Sequence, residues 1–534
     1  MAYTTAAGLA PYTGPFEREQ AWHLLRRATF GATRERADQL AGLGLAGALD
    51  ALLTADDAYG PPVNYDFADD PNVPIGATWV GQPYLDGADV NPYRSRSMQA
   101  WLLGLALNNG LSAHAKLHFF WHKHFAVPMQ GDTRNYHSYH ACLRRNALGN
   151  FRTLVREMTV EPQMLRFLNG DVNKATSPNE NFARELLELF TLGKGPQVGP
   201  GDYTTYTEDD IRALSRALTG WRTRYAGQRD PAKQPESFFQ ESWHDTGAKQ
   251  LSARFGGAAI DDAGDREYVE VVRLIFEHPA AAHYVCRKLY RYFVYYDVTP
   301  AVERDVIAPM AQLLRQSDFE VAPVVRALLC SEHFFAVDTR GATVKSPLEH
   351  VASLTTALGF DLEPAGADLA VHGWLLRRMS WVCNDQDMRL WIPPSVAGWK
   401  AYYQAPQYSR MWINASTLRA RLGIVWQLTG NGVFHQGERY RIDALALIAR
   451  FDNPTDPNAL VAELAERVFP RPVPDAQLTA LKEVLIPGLP DFEWTIEYDA
   501  HLADPADADV RESVERKLTN LLRAVFNAAE SHLA

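Results

Sequence analysis

The sequence is poor in cysteine, and the four cysteines it has are far apart. Cys142, Cys286, Cys330 and Cys383 form no CxxC pair. This spacing argues against a zinc ribbon and against a disulfide scaffold, so isolated buried thiols are the simplest interpretation. The chain also lacks an uninterrupted apolar run of about 18 residues, which excludes a transmembrane helix from the sequence prediction.

Basic residues are in the minority. The 53 Lys and Arg residues are outnumbered by 64 Asp and Glu residues, and the net charge is −11. Nucleic acid is therefore not expected as the main partner, because phosphate binding needs a basic field. Residues 1–16 contain neither a basic nor an apolar segment typical of a signal peptide. We expect a cytoplasmic protein from the sequence as written, or a periplasmic or secreted protein if a signal has been removed.

Several catalytic motifs are also missing. The sequence contains no GxSxG nucleophile elbow, Walker loop, Rossmann fingerprint or protein-kinase motif set. Esterases of the α/β-hydrolase fold, nucleotide triphosphatases and dinucleotide enzymes are therefore excluded, and no nucleotide cofactor is expected. A glycosidase remains open, because it needs only a pair of carboxylates.

The best-defined helix in the sequence runs over residues 177–192. Ser177, Pro178 and Glu180 predict an N-cap, a first-turn proline and a capping box, and Gly193 predicts a left-handed stop. At about 100° per residue, one face of this helix is apolar and the other is polar. The polar face carries Glu180, Asn181, Arg184, Glu185 and Glu188.

The rest of the chain predicts a mainly α fold. At 534 residues it is long enough for more than one packed lobe. We expect a multi-helix globular protein with long irregular loops and few or no short strands. Residues 1–94 would form N-terminal helices and a long Pro/Gly-rich loop over 55–90. Residues 95–360 would form a central helical lobe with the candidate site, and residues 361–534 a C-terminal helical region packed on that lobe.

Nine different short motifs occur along the chain in an order that is characteristic of one family. They are residues 24–31, 120–125, 178–193, 206–221, 244–249, 278–279, 287–289, 345–349 and 393–399. Over most of its length the chain thereby resembles the bacterial family catalogued as domain of unknown function 1800. The resemblance implies little about activity. It does imply a protein that is often exported and often encoded beside a second uncharacterised protein, which is a candidate partner. This chain differs in having no evident export signal.

Histidines on a predicted aromatic helix, residues 112–126, suggest a metal site. His114, His118 and His122 are spaced i, i+4, i+8 and lie on one stripe, with His124 on another side. Neutral imidazoles bind zinc, iron and copper well, although the HExxH signature of zincins is absent. We predict His122 and His124 as ligands because both lie in a family-like motif. Ordinary hydrogen bonding within the core is the alternative.

The polar face of the 177–192 helix would supply the other half of the site. A Glu-rich helix facing a His-rich helix is how helical bundles build carboxylate metal sites, so Glu185 is predicted as a ligand and as a catalytic residue. The alternative is a ladder of salt bridges from Arg184 to Glu180 and Glu188.

Further residues complete the predicted site. His244 and Asp245 are predicted to complete the coordination sphere or to act as acid and base. Arg184, Asn181 and Lys249 are predicted to bind substrate, and Trp399 to stack on a sugar ring. Elsewhere Arg287, Lys288, Lys345 and Glu349 predict either a buried ion-pair network or a site for an anionic substrate.

Three functional hypotheses follow. The first is a metal-dependent enzyme using zinc, iron, manganese or copper, most easily a hydrolase with a metal-activated water, and next an oxidoreductase. The second is a metal-independent enzyme acting on glycans, with Glu180, Glu185 or Glu188 paired with Asp245. The third is a non-catalytic scaffold or partner-binding protein. The substrate class, a small molecule or a glycan, stays open.

Overall fold

The computed structural model describes residues 8–85, 89–108, 110–230, 232–363 and 368–534. The predicted mainly α fold is confirmed. The α-helices are α1 Arg18–Ala28, α2 Arg34–Leu52, α3 Asn91–Leu107, α4 His114–Phe125, α5 Thr133–Arg145, α6 Phe151–Thr159, α7 Pro162–Phe167, α8 Glu180–Glu185, α9 Glu208–Ala217, α10 Glu267–Glu277, α11 Ala280–Phe293, α12 Pro300–Val302, α13 Ala308–Gln316, α14 Val321–Leu329, α15 Glu332–Phe335, α16 Pro347–Ala357, α17 Leu369–Asp385, α18 Ala415–Thr429, α19 Ala444–Ile448, α20 Pro457–Val468, α21 Asp475–Leu485, α22 Asp491–Ala503 and α23 Ala508–Asn527.

The strands form short antiparallel pairs. These are β1 Gln197–Gly199 with β2 Asp202–Tyr203, β3 Trp221–Arg224 with β4 Glu236–Phe239, β5 Lys249–Gln250 with β6 Ala259–Ile260, and β7 Val433–His435 with β8 Glu438–Tyr440. In the β3–β4 hairpin Trp221 lies opposite Phe239. The β5–β6 pair carries Lys249 into the interior, where its side chain is fully buried.

The helix predicted over residues 177–192 forms, but two details of its prediction are wrong. It begins at Glu180, because the side chain of Asn179 rather than Ser177 caps it by accepting a hydrogen bond from the Asn181 N–H. From Leu186 to Thr191 it is a π-helix. The Thr191 hydroxyl donates to the Leu186 carbonyl at 2.6 Å, which supports the wider turn. The left-handed stop at Gly193 is confirmed, with φ +75°.

Helix α4 lies at the centre of the fold. All its residues are described, and every one except Lys123 is buried. It packs against α5 and against the π-helical segment, which places the histidine motif beside the helix predicted to face it.

The long loop before α3 is confirmed over residues 55–85, and its predicted range also includes residues 86–88, which lie outside the described residues. The loop packs on α3 through buried side chains: Trp79 donates from Nε1 to Ser97 Oγ at 2.9 Å, and Tyr93 donates to Asp70 at 2.6 Å. In the described part of the chain, no helix has the length and apolarity needed to cross a bilayer. The boundaries at residues 94 and 360 stay a prediction.

Candidate functional site

His122 is buried in α4 with both ring nitrogens engaged. Nε2 donates to the Leu390 carbonyl at 2.7 Å, and Nδ1 accepts from the Tyr139 hydroxyl at 3.0 Å. Burial lowers the pKa of His122 to about 4. The Trp399 ring is also buried and packs 5.8 Å from the His122 ring, so Trp399 is part of this core contact.

His124 points to a different neighbour. Two positions along an α-helix turn a side chain by about 200°, so the two rings diverge. Nε2 of His124 donates to the Phe190 carbonyl of the π-helix at 2.9 Å, and Nδ1 lies 3.2 Å from Lys288 Nζ. Burial, followed by the charges of Lys288 and Lys123, lowers the pKa of His124 well below its ordinary value. His122 and His124 are therefore each satisfied by hydrogen bonds, and they do not converge with Glu185 on one point.

The polar face of α8 is largely paired. Arg184 donates from two nitrogens to Glu208 at 2.7 and 2.8 Å and to Glu180 at 3.1 Å. Glu188 accepts from the Tyr206 hydroxyl at 3.0 Å. The predicted ladder thus exists between Arg184 and Glu180, whereas Glu188 pairs elsewhere.

Glu185 and Asn181 are the two residues of this face whose side chains form few or no hydrogen bonds and ion pairs among the described residues. The Glu185 side chain is half-buried and has no hydrogen-bond or ion-pair partner among the described residues. Burial, and then the charge of Glu188, raise the pKa of Glu185. Asn181 is exposed, and its Nδ2 donates to the Leu168 carbonyl at 3.3 Å.

His244 lies in a different cluster, between the end of α9 and the start of α10. Its Nδ1 lies 2.9 Å from the Thr219 carbonyl oxygen, and its Nε2 lies 2.8 Å from Glu267 Oε1 and 3.8 Å from Asp262 Oδ1. Both ring nitrogens therefore face oxygen acceptors. An imidazole between two oxygen acceptors can interact favourably with both of them in two ways. It can carry hydrogen on both nitrogens, or it can bind a cation at Nε2.

The same three residues form a potential ligand set. Within the described ranges, His244, Asp262 and Glu267 are the one group of three His, Cys, Asp or Glu side chains whose ligand atoms all lie within 4.8 Å of one another. Ligands at about 2.1 Å around a tetrahedral zinc ion lie roughly 3.4 Å apart. His244 and Glu267 are buried, and the Asp262 side chain is 49% exposed. The cluster is therefore closed on one side and open to solvent on the other.

Lys249 is the cationic member of this cluster. Its Nζ lies 2.7 Å from Glu267 Oε2 and 2.8 Å from Oε1, and both side chains are fully buried. The Ala263 N–H also donates to Oε1, at 3.2 Å. A metal ion bound by His244 and Glu267 would take the position of a hydrogen on His244 Nε2 and would lie near the Lys249 ammonium.

Asp245 turns away from its neighbour His244. Arg216 donates to its two carboxylate oxygens at 2.8 and 2.9 Å. These hydrogen bonds outweigh partial burial and lower the pKa of Asp245, which stays a carboxylate. The structure thus brings His244 and Lys249 together on Glu267, whereas the Asp245 carboxylate pairs with Arg216 and its backbone carbonyl accepts from Lys249 Nζ.

Sequence reasoning missed Glu267 and Asp262. Glu267 follows His244 by 23 positions and begins α10, where a first-turn glutamate is ordinary helix chemistry. Asp262 stands in a stretch of loop acids. Neither residue had a periodic or motif signal that pointed to His244.

Comparison with known proteins gives one match. The family model described as a protein of unknown function (DUF1800) matches residues 23–491 of the 534. The matched range contains every residue of the His244 cluster and both predicted histidine ligands. No curated protein and no solved structure matches the chain.

Proposed function

Since this chain belongs to the DUF1800 family, which is described as a protein of unknown function, we propose from the geometry alone that it is a metal-dependent enzyme. The proposed ligands are His244, Asp262 and Glu267. The observation that supports the proposal is the placement of His244, whose Nδ1 is held by the Thr219 carbonyl while Nε2 faces two carboxylates. A carbonyl behind a ligating imidazole fixes the tautomer that presents Nε2 to an ion.

The open side of the cluster favours catalysis over a structural role. Structural zinc sites are closed by four protein ligands, whereas catalytic sites keep a position for water or substrate. Three protein ligands, one of them the half-exposed Asp262, fit the second pattern. A bound ion would supply an activated water, and hydrolysis is the reaction we propose first. Lys249 would hold Glu267 in place and add a positive charge near an anionic substrate.

Elemental analysis tests the ligand set. Protein purified without chelator is incubated in turn with zinc, manganese, iron and copper, and bound metal is measured by mass spectrometry. We expect close to one equivalent of one ion in the native protein and in the control His283→Ala, whose histidine lies outside the cluster on α11. His244→Ala should lose it, and Asp262→Asn, at an exposed position, should weaken binding by about 10-fold or more with an unchanged circular dichroism spectrum.

Two results would contradict the proposal. One is substoichiometric metal in the native protein with every ion. The other is stoichiometric metal retained by His244→Ala. In either case His244, Glu267 and Lys249 form a hydrogen-bonded cluster that anchors the loop after α9 to α10.

A second candidate, metal-independent acid and base catalysis on a glycan, is favoured by Glu185. A half-buried carboxyl with a raised pKa and no partner among the residues that the structure describes is suited to donate a proton, and Glu188 beside it is oriented as an acceptor by Tyr206. Hydrolysis of a panel of chromogenic glycosides should then be insensitive to chelator. It should be lost in Glu185→Gln and kept in Glu180→Gln, whose carboxylate already pairs with Arg184. Activity retained by Glu185→Gln would exclude this candidate.

A further inference from the structure

A cavity lies between helix α1, the C-terminal end of helix α20 and the start of helix α21. Its volume is about 170 Å³, and it opens to solvent. From α1 it is lined by Glu19, Trp22 and Arg26, which are spaced i, i+3 and i+7 and therefore share one face of the helix. An apolar cavity of about 150 Å³ holds one benzene molecule, so this one has room for a group of that size.

The walls of the cavity are mostly apolar. Helix α20 contributes Ala462, Ala465 and its C-cap Phe469, which again lie on one face, and α21 contributes Leu478. The side chains of Trp22 and Phe469 belong to the core as well as to the wall, since each residue is 2% exposed. Water in such a cavity finds few hydrogen-bond partners, so an apolar group displaces it favourably.

The cavity has a fixed shape. The Arg26 guanidinium lies 4.8 Å from the centroid of the Trp22 ring and donates from Nη2 to the Glu466 carbonyl at 2.5 Å. The helix itself cannot satisfy this carbonyl, because the residue four positions later is Pro470, which has no N–H. Pro470 and Pro472 both line the cavity, and each has a fixed φ. A ligand would therefore lose little binding energy in arranging the site.

The rim of the cavity carries two positive and two negative side chains. Arg26 is half-buried and Arg471 is exposed, and both carboxylates, Glu19 and Glu466, are exposed. Glu19 is ion-paired with Arg340. The Arg471 guanidinium and the Glu466 carboxylate form no hydrogen bond or ion pair with the described residues. Since the charges at the rim sum to zero, neither a cation nor an anion is favoured over a ligand without net charge.

We propose that this cavity binds a small molecule without net charge, whose apolar group, about the size of a benzene ring, packs against Trp22 and Phe469. Aromatic rings make favourable stacked or edge contacts with such side chains. The polar end of the molecule would remain at the rim. A zwitterionic end would interact with both Arg471 and Glu466, whereas a singly charged end would meet a like charge. This site shares no residue with the His244 cluster and does not depend on a metal there.

Calorimetric titration of the full chain tests the cavity with four probes that each carry an aromatic ring. At pH 7 indole is neutral, free phenylalanine is a zwitterion, phenylacetate is an anion and phenethylamine is a cation. We expect saturable binding of indole or phenylalanine with a negative change in heat capacity, which marks the burial of apolar surface. Absence of saturable binding of both, or tighter binding of phenylacetate or phenethylamine than of either, would overturn the proposal.

Matched tryptophan variants locate the binding site. Ala462 is exposed and lines the cavity, so Ala462→Trp should weaken binding by about tenfold or more, because the new ring takes the place of the ligand. Ala480→Trp puts the same ring at an exposed position of α21 that does not line the cavity, and it should leave binding unchanged. Equal effects of the two variants would place the binding elsewhere and overturn the proposal.

Charge variants test the rim. Arg471→Gln should raise the affinity for phenethylamine relative to phenylacetate several-fold, because it leaves an excess of negative charge, and Glu466→Gln should have the opposite effect. The same ratio of affinities in both variants and in the native protein would show that the rim does not contact the ligand, and would overturn the proposed preference for a molecule without net charge.

Hydrogen exchange on the native protein covers the case in which the variants do not fold. Saturating indole or phenylalanine should slow amide exchange several-fold in residues 462–478, which include most of the cavity wall, because bound ligand opposes local opening. Exchange in the β7–β8 hairpin, which does not line the cavity, should be unaffected. Unchanged exchange in residues 462–478 would overturn the proposal.

Discussion

The ammonium of Lys116 in α4 and the carboxylate of Glu349 in α16 form an ion pair inside the protein. Lys116 is fully buried, and Glu349 also accepts from the Ser346 N–H at 2.7 Å. Burial alone would raise the pKa of Glu349. The charges of Lys116 and Arg27 and the hydrogen bonds from Lys116 and Ser346 outweigh it and lower the pKa to about 2. The pair thus joins the central helix to a motif more than 200 residues later.

Removing one partner of this pair should be costly. Lys116→Met leaves a carboxylate in the interior without its counter-charge, and we expect the free energy of unfolding to fall by about 3–5 kcal/mol. The double variant Lys116→Met with Glu349→Gln should recover much of the loss, because no unpaired charge remains. Chemical denaturation followed by circular dichroism measures both. A single variant as stable as the native protein would show that the pair is not coupled.

Acid should remove the contribution of Glu349. Its pKa is about 2 in the folded chain and 4.5 when unperturbed, so its stabilisation is complete above about pH 5 and is lost as the pH falls towards 2. The difference corresponds to roughly 3 kcal/mol. The gap in unfolding free energy between the native protein and Glu349→Gln should shrink by this amount over that pH range. A gap independent of pH would contradict the assignment.

Gly193, which ends the π-helix, should not tolerate a side chain. Its φ is +75°, and a Cβ atom would lie 2.8 Å from a Tyr284 ring carbon. We expect Gly193→Ala to cost about 2 kcal/mol or more. Gly256 has a similar φ of +66° but nothing within 4 Å of its Cβ position, so Gly256→Ala isolates backbone strain at about 1 kcal/mol. Equal losses in the two variants would exclude a steric role for Tyr284.

The helices that could be predicted from the sequence have capping residues at their ends. Thr207 and Asp210 form the capping box of α9, and Ser346 and Glu349 form that of α16. The sequence predicts a helical region over residues 361–534, but it did not locate helices α17, α21 and α22 within it. Helix α17 does carry an N-cap in Asp368, but its apolar and charged residues are not segregated to separate faces, since it packs against both α3 and α16. Periodicity is informative only when one side of a helix meets water.

The site was less predictable because its contacts are long-range. The sequence identified His244 and Lys249 as functional candidates, and both converge on Glu267. It could not identify Glu267 itself, since the pairing depends on how a loop returns to the start of α10.

The π-helical segment determines the direction about the helix axis in which the side chains of the whole 180–191 helix point. Its C-terminal end is fixed by its neighbours, because the Phe190 carbonyl accepts from His124 and the Leu189 carbonyl accepts from Lys288 and Tyr284. A chain one residue shorter in this segment could make ordinary α-helical turns and keep those contacts. Everything before the deletion would then rotate by about 100°. Glu185 would leave its half-buried position. A single deletion here would therefore change which residues of the helix face the protein interior, with little change in the core contacts of its C-terminal end.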